Sequence, residues 1–266
     1  MKYCPNCGNE LSEDSKFCSE CGTDLTDHRN DSPVSTVATE EDVQELGESV
    51  EPTDDDGIVF WSIEYPSKAG IGSILVGGVL FLFAWLIIPL FIAMGYLIRT
   101  TANAAGAEAH PPDNFADWGG MFRDGIVLFV IFLVVGIVGV SISAIFFFIA
   151  AAVDAFAIML LLIPIWLAIA YLSPAIYVNF AVERTFGAAF DIDALTDLAG
   201  TTTYLLGWFY YVVVINMIGA IFVAIVITLS FLTIIGWIII IPMVYFYWYA
   251  IDAALWGRVY YKIDTA

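Results

Sequence analysis

Four cysteines near the N-terminus have the spacing of a metal site. They stand as Cys4-Pro-Asn-Cys7-Gly and Cys18-Ser-Glu-Cys21-Gly, and they are all the cysteines of the 266-residue chain. In each pair two thiolates can converge on one metal ion, and the glycine that follows permits the tight turn around it. Two pairs complete a closed tetrahedral site. The spacing therefore predicts one structural zinc ion, bound by Cys4, Cys7, Cys18 and Cys21, with no open position for catalysis.

The alternative for these cysteines is a pair of disulfides. The N-terminus lacks the apolar run of a secretory leader, so we expect the cysteines to stay reduced. A segment of about 25 residues cannot build a hydrophobic core, and metal binding would supply its folding energy. Residues 1–25 are thus predicted to be a zinc module, and they resemble the short zinc ribbons at the N-termini of many prokaryotic membrane proteins. That resemblance implies a structural metal and contacts with other proteins.

An acidic stretch follows the cysteines. The chain has a net charge of −19, and 17 of its 28 acidic residues lie in residues 1–66, beside three of its nine bases. Residues 26–66 have little apolar periodicity, which predicts a disordered linker extended by charge repulsion. Such an acidic region argues against nucleic-acid binding, because phosphates attract cationic surfaces. The acidity also resembles that of proteins from halophilic archaea.

The rest of the chain is built from long apolar runs, and 60% of all residues are hydrophobic. A helix needs about 20 apolar residues to cross a membrane. The runs are Gly70–Ile98, Ile126–Val153, Ala155–Val182 and Tyr204–Ile251, the last long enough for two crossings joined by a turn near Ser230–Gly236. Residues 67–266 are therefore predicted to form a polytopic all-α bundle with five apolar spans, embedded in the lipid bilayer of the cell membrane.

The first run can be placed in two ways. If all five runs cross, five bases lie on one side, and the positive-inside rule puts the zinc module outside the cell. That conflicts with reduced cysteines, which favour the cytoplasm. If Gly70–Ile98 breaks between Gly77 and Pro89 and re-enters, the bases and the zinc module share the cytoplasmic side, provided that protein shields the free backbone groups. A single crossing is the simpler arrangement, and both stay open here.

The bundle also resembles a prokaryotic membrane family, domain of unknown function 4013. The resemblance extends from about Tyr65 to Lys262 and implies a topology but no activity. It rests on Tyr65-Pro66, Gly77-Gly78, Pro89, Gly95-Tyr96, Arg99, Asp117-Trp118, Asp124-Gly125, Glu183-Arg184 and Ala189-Phe190.

No combination of residues in the bundle predicts an enzyme. The two histidines lie in polar segments, and no phosphate-binding loop or serine elbow is present. Polar side chains at membrane depth are nevertheless candidates for function, and Asp154, Asn216 and Asp252 are the ones to consider. The structural alternative is that the two aspartates reach the headgroups and Asn216 bonds across helices.

Two functions fit this organisation. The first is a membrane-anchored scaffold or regulator whose zinc ribbon contacts a cytoplasmic protein, which accounts for a closed metal site on a long linker. The alternative is a transporter or channel for a small solute or ion, with the zinc ribbon as a structural appendage. Removing the N-terminal region separates them, because a transporter keeps its flux and an anchor loses its role.

Overall fold

A computed structural model describes residues 2–3, 10–11, 57–230, 233 and 236–266. The chain divides into two units, Met1–Ser49 and Val50–Ala266. In the first unit, strand β1 (Lys2–Tyr3) pairs antiparallel with β2 (Glu10–Leu11). In the sequence, Cys4 and Cys7 stand between these two strands. The cysteines themselves lie outside the described residues, and so does the predicted linker as far as residue 56.

The second unit is helical, as the apolar runs predict. Its α-helices are α1 (Ile58–Glu64), α2 (Gly70–Leu82), α3 (Ile88–Ala105), α4 (Trp118–Ala152), α5 (Leu162–Glu183), α6 (Ile192–Ala199), α7 (Thr202–Tyr210), α8 (Gly219–Ser230) and α9 (Ile241–Asp264). Short 3₁₀ segments cover Tyr65–Ala69, Ala84–Leu86, Phe156–Leu161 and Gly187–Phe190, and π-helical segments cover Tyr211–Ile218 and Gly236–Ile240.

Five helical segments of the described chain are long and apolar enough to span a membrane, which confirms the predicted multi-pass helical fold. They are Ile58–Leu82, Trp118–Ala152, Phe156–Glu183, Thr202–Ser230 and Ile238–Asp264. The helical body begins at Ile58, earlier than the predicted boundary at residue 67. The apolar residues Val59, Phe60 and Trp61 explain the difference, because they continue the helical pattern into the end of the acidic stretch.

The predicted run Gly70–Ile98 is not one helix. The chain leaves α2 after Leu82, and Ile87 has a φ of 70° before α3 begins. Pro89 lies in the first turn of α3, where a missing N–H costs nothing. The break therefore falls inside the region between Gly77 and Pro89 where the re-entrant alternative requires one.

The two arms of this break run in opposite directions, as their contacts with α9 show. Along α1 and α2, Trp61 lies against Arg258 and Gly78 against Met243. Along α3 the order is reversed, because Tyr96 lies against Phe246 and Thr101 bonds to the carbonyl of Ala253. The chain thus enters and leaves at the same end of α9. We refer to residues 58–105 as the hairpin.

The tip of the hairpin stops well short of the far end of α4. Near the tip, the ring of Phe91 lies 5.5 Å from that of Phe129, whereas α4 continues to Ala152. At 1.5 Å per residue, more than 30 Å of α4 extend beyond this contact. Beside α9 the hairpin reaches further, because α2 ends the 25-residue segment Ile58–Leu82 and contacts the π-helical segment Gly236–Ile240 that precedes α9.

Candidate functional site

Ion pairs join three helices at the end of the bundle where the hairpin opens. Asp124 of α4 accepts from Arg184 at 2.8 Å and lies 3.5 Å from Arg99 of α3. Arg99 also donates to Asp117 at 2.6 Å, and this hydrogen bond holds the pKa of the Asp117 carboxyl below its usual range. We call this end, which also holds Arg123, the polar end. Asp124 is 8% exposed, so a single buried carboxylate ties the ends of α3, α4 and α5 together.

The same helices meet closely just below these ion pairs. A Cβ atom on Gly95 would collide with the backbone of Met121, and one on Gly125 would collide with the backbone of Phe91. Small residues at such crossings let helix backbones approach within a membrane. Several of the residues that carry the family resemblance, Arg99 and Asp124 among them, therefore hold α3 and α4 together.

Asp252 lies further along the bundle, on the buried side of α9. Its Oδ1 atom is buried and has no hydrogen-bond partner in the described part of the chain. A buried carboxylate oxygen without a hydrogen bond costs free energy unless another group binds to it.

Asp252 lines a partly open cavity of about 500 Å³, to which α2, α3, α4, α5 and α9 contribute residues. The hairpin contributes one wall, including Phe81 and Met94. The opposite walls come from α4, α5, the π-helical segment after α7, and α9. Besides Asp252, their polar or aromatic members are Phe132, Ser173, Tyr177, Tyr211, Tyr249 and Trp256. The volume is within the range of small-molecule sites in proteins, roughly 300–1,000 Å³.

A buried hydroxyl fixes one side of the cavity. Thr101 of α3, which is fully buried, donates to the carbonyl of Ala253 at 3.0 Å. The Tyr177 hydroxyl of α5 lies 2.8 Å from Thr101 Oγ1 and forms a hydrogen bond with it. These two contacts hold the α9 backbone next to Asp252 at a set distance from the Tyr177 ring.

Two irregular helices shape the other sides. In α5, Pro174 interrupts the backbone ladder, and the hydroxyl of Tyr204 occupies the gap. This hydroxyl accepts from the N–H of Ala175 at 3.2 Å and donates to the carbonyl of Tyr171 at 2.6 Å. It therefore stands between a donor and an acceptor that would bond directly in a regular helix.

The second irregular helix is the π-helical segment Tyr211–Ile218. The side chain of Asn216 donates to the carbonyl of Tyr211 at 2.9 Å, inside its own segment. Asn216 is exposed and does not line the cavity, so its observed role is to satisfy this widened turn. The predicted bond across helices is wrong for this residue. Short π-helical turns are frequent at functional sites, and here Tyr211 itself faces the cavity.

The remaining sequence candidates lie elsewhere. Asp154 is exposed in the turn between α4 and α5, at the end opposite the ion pairs, with a φ of 49°. Cys4, Cys7, Cys18 and Cys21 are outside the described residues. Their donor set, four thiolates in two closely spaced pairs, is the one that structural zinc prefers. Within the described chain, His, Cys, Asp and Glu side chains form no group of three suited to a metal ion.

The sequence interpretation missed the companions of Asp252. Tyr249, Asp252 and Trp256 recur at intervals of three and four, so they share one face of α9, as Ser173 and Tyr177 share one face of α5. That spacing was available in the sequence. It did not stand out because most neighbouring positions are apolar as well.

Comparison with known families agrees with the fold. The family described as "Protein of unknown function (DUF4013)" matches residues 79–229, and a zinc-ribbon domain matches residues 3–25. Neither a curated protein nor a solved structure gives a match. The family match covers more than half of the chain and confirms the resemblance read from the sequence. The chain therefore belongs to the DUF4013 family of multi-pass membrane proteins of unknown function, with a zinc-ribbon domain at its N-terminus.

Proposed function

We propose that the helical bundle binds a small solute at Asp252 and moves it across the membrane. The observation that supports this most directly is the buried Oδ1 atom of Asp252, which has no partner in the described chain and borders a cavity of about 500 Å³. Ionisable groups are costly inside a membrane and mark solute pathways when they persist there. Discontinuous helices around such a site are typical of transporters, and here both α5 and the segment after α7 are irregular.

The hairpin supports transport rather than static binding. Its residues Phe81, Leu90 and Met94 form one wall of the cavity, although its two ends return to the polar end of the bundle. We propose that movement of this wall exposes the cavity to one side of the membrane.

The same geometry supports an orientation of the bundle in the membrane. If the hairpin re-enters, the four remaining spans bring every Lys and Arg of the bundle to the polar end, together with the N-terminus. The positive-inside rule then assigns the polar end to the cytoplasm. The zinc ribbon would lie in the reducing compartment that its thiolates require, and it would hold one structural zinc ion.

A ligand screen that compares two forms of the full chain tests the proposal. Wild-type protein and Asp252→Asn are heated in detergent with a library of cationic, anionic and neutral solutes. A ligand that binds the folded state raises the melting temperature. We expect at least one solute to stabilise the wild type and not Asp252→Asn, and to be taken up by proteoliposomes. The absence of any Asp252-dependent solute would contradict the proposal, and binding without uptake would contradict transport.

A scaffold role is the second candidate, and the two cysteine pairs ahead of a long acidic stretch favour it. Transport does not evidently require a tethered zinc ribbon, whereas a scaffold that contacts a cytoplasmic protein would use one. Because α1 begins at Ile58, a truncation should remove residues 1–56 and leave the helical body whole. Retained uptake after this truncation supports transport. Retained folding with loss of a cellular phenotype supports the scaffold.

A further inference from the structure

The chemistry of the cavity lining narrows the class of solute, and this step rests on the proposed binding at Asp252. Asp252 is the sole charged side chain among the described residues that line the cavity. With one carboxylate and no Lys, Arg or His in this lining, an anion would meet repulsion and no compensating donor. The lining therefore selects for positive charge.

The lining does not suit a bare metal ion. Calcium and magnesium require six or more oxygen ligands, and magnesium keeps most of its water. Here the lining has a single carboxylate, and two of its four hydroxyls, those of Ser173 and Tyr177, are already bonded. Ser173 donates to the carbonyl of Ile169 at 2.6 Å, and the Tyr177 hydroxyl is paired with Thr101.

Aromatic rings make up much of the cavity lining around Asp252. Tyr177, Tyr211, Tyr249 and Trp256 surround the carboxylate, and Phe81 closes the wall on the hairpin side. The ring of Tyr211 lies 5.7 Å from that of Trp256, and the ring of Phe81 lies 5.6 Å from that of Tyr249. Ring faces attract ammonium groups that have shed their water, and aromatic cages of this kind recognise quaternary ammonium ligands.

The cavity is also larger than a simple ammonium ion. Its aliphatic part is formed by Leu90, Met94 and Leu97 of α3 and by Leu128 of α4. We infer that the cavity binds an organic ammonium cation with an apolar body, the charged head beside Asp252 and the body against the aliphatic wall. This assigns a substrate class to the site.

Charge-selective labelling tests the inference in the full-length protein. Ser173→Cys places a thiol in the cavity, where it is reacted with a trimethylammonium methanethiosulfonate and, separately, with the sulfonate reagent of similar size. Rates are corrected for each reagent's reactivity with a free thiol and for labelling of the four native cysteines. An adjacent carboxylate attracts the cationic reagent and repels the anionic one, so we expect a rate ratio of about tenfold or more.

Three further variants serve as controls. Asp252→Asn should bring the ratio close to one, whereas Asp252→Glu retains the charge and should preserve it. Ser143→Cys is the positional control. Ser143 lies on α4 outside the cavity lining and accepts from Trp166. Its labelling should not respond to changes at residue 252.

Protection then separates the solute class from the site itself. Benzyltrimethylammonium should slow labelling of Ser173→Cys at concentrations where sodium, calcium and a neutral analogue of the same shape do not. If sodium or calcium protects equally, or if the neutral analogue does, the substrate class is wrong while binding at Asp252 stands. If the labelling ratio is near one in the wild-type background and no probe protects, both the class and the site are wrong.

Discussion

The hydroxyl of Tyr204 offers a direct test of how the cavity keeps its shape. It is fully buried and bridges Ala175 and Tyr171 where Pro174 interrupts α5. Tyr204→Phe removes this one oxygen and retains the ring, which packs edge-on against Tyr171 at 5.1 Å. The substitution therefore isolates two hydrogen bonds from the packing around them.

The expected loss of unfolding free energy depends on how many backbone groups lose their hydrogen-bond partner. Hydrogen bonds between membrane helices average about 0.6 kcal/mol each, so the loss of two bonds sets a lower value near 1 kcal/mol. Leaving a buried polar group without a partner costs about 1–3 kcal/mol, and here one N–H and one carbonyl lose theirs. We expect Tyr204→Phe to lower the free energy of unfolding by about 2 kcal/mol, since α5 can relax in part.

Tyr171→Phe is the matched control. The Tyr171 hydroxyl donates one bond, to the carbonyl of Ala199 at the end of α6, and its side chain is only partly buried. Both variants are unfolded in mixed detergent micelles, and the free energies are compared with that of the wild type. The control should lose less than about 1 kcal/mol. Equal losses in the two variants, or a loss below about 0.5 kcal/mol for Tyr204→Phe, would refute the inserted hydroxyl as the support of the α5 irregularity.

Three further predictions concern other parts of the chain. Gly125→Ala should destabilise the bundle by about 1–3 kcal/mol through its collision with backbone, whereas Gly136→Ala, with open space around it on the same helix, should be neutral or stabilising by up to about 1 kcal/mol; unfolding in micelles measures both. Protein purified with reductant should contain one zinc per chain by metal analysis, and Cys7→Ser should lose it without changing the melting of the helical body. Tags at residues 30 and 105 should report the same compartment in intact cells, and opposite compartments would refute the re-entrant hairpin.

The number of helical runs could be predicted from sequence, because a stretch of twenty apolar residues has few alternatives to a membrane helix. Which face of each helix points inward could not. In α4 and α5 nearly every position is apolar, so hydrophobic periodicity carries no information on facing. The companions of Asp252 were missed for this reason, although Asp252 itself stood out by its charge.

The helix irregularities were hidden for a different reason. Pro174 predicts a break in the ladder of α5, but its filling by Tyr204 depends on a residue 30 positions away that approaches only in the folded bundle. The role of Asn216 was misjudged because a polar side chain in a span can bond within its own helix as readily as across two. The sequence shows which groups these residues carry, whereas their hydrogen-bond partners can be identified only from the folded structure.

A hairpin whose two ends lie together bears on a conflict that the sequence alone left open. With five crossings, the charge distribution and the thiolate chemistry place the N-terminus on opposite sides of the membrane. The contacts along α9 show that α1 and α2 run against it while α3 runs with it, so residues 58 and 105 lie at the same end. More than 30 Å of α4 extend past the contact near the tip, a length that by itself suffices to cross a hydrocarbon core. If the hairpin enters and leaves the membrane on one side, both principles are satisfied, and one wall of the Asp252 cavity belongs to an element whose two ends lie at the polar end of the bundle.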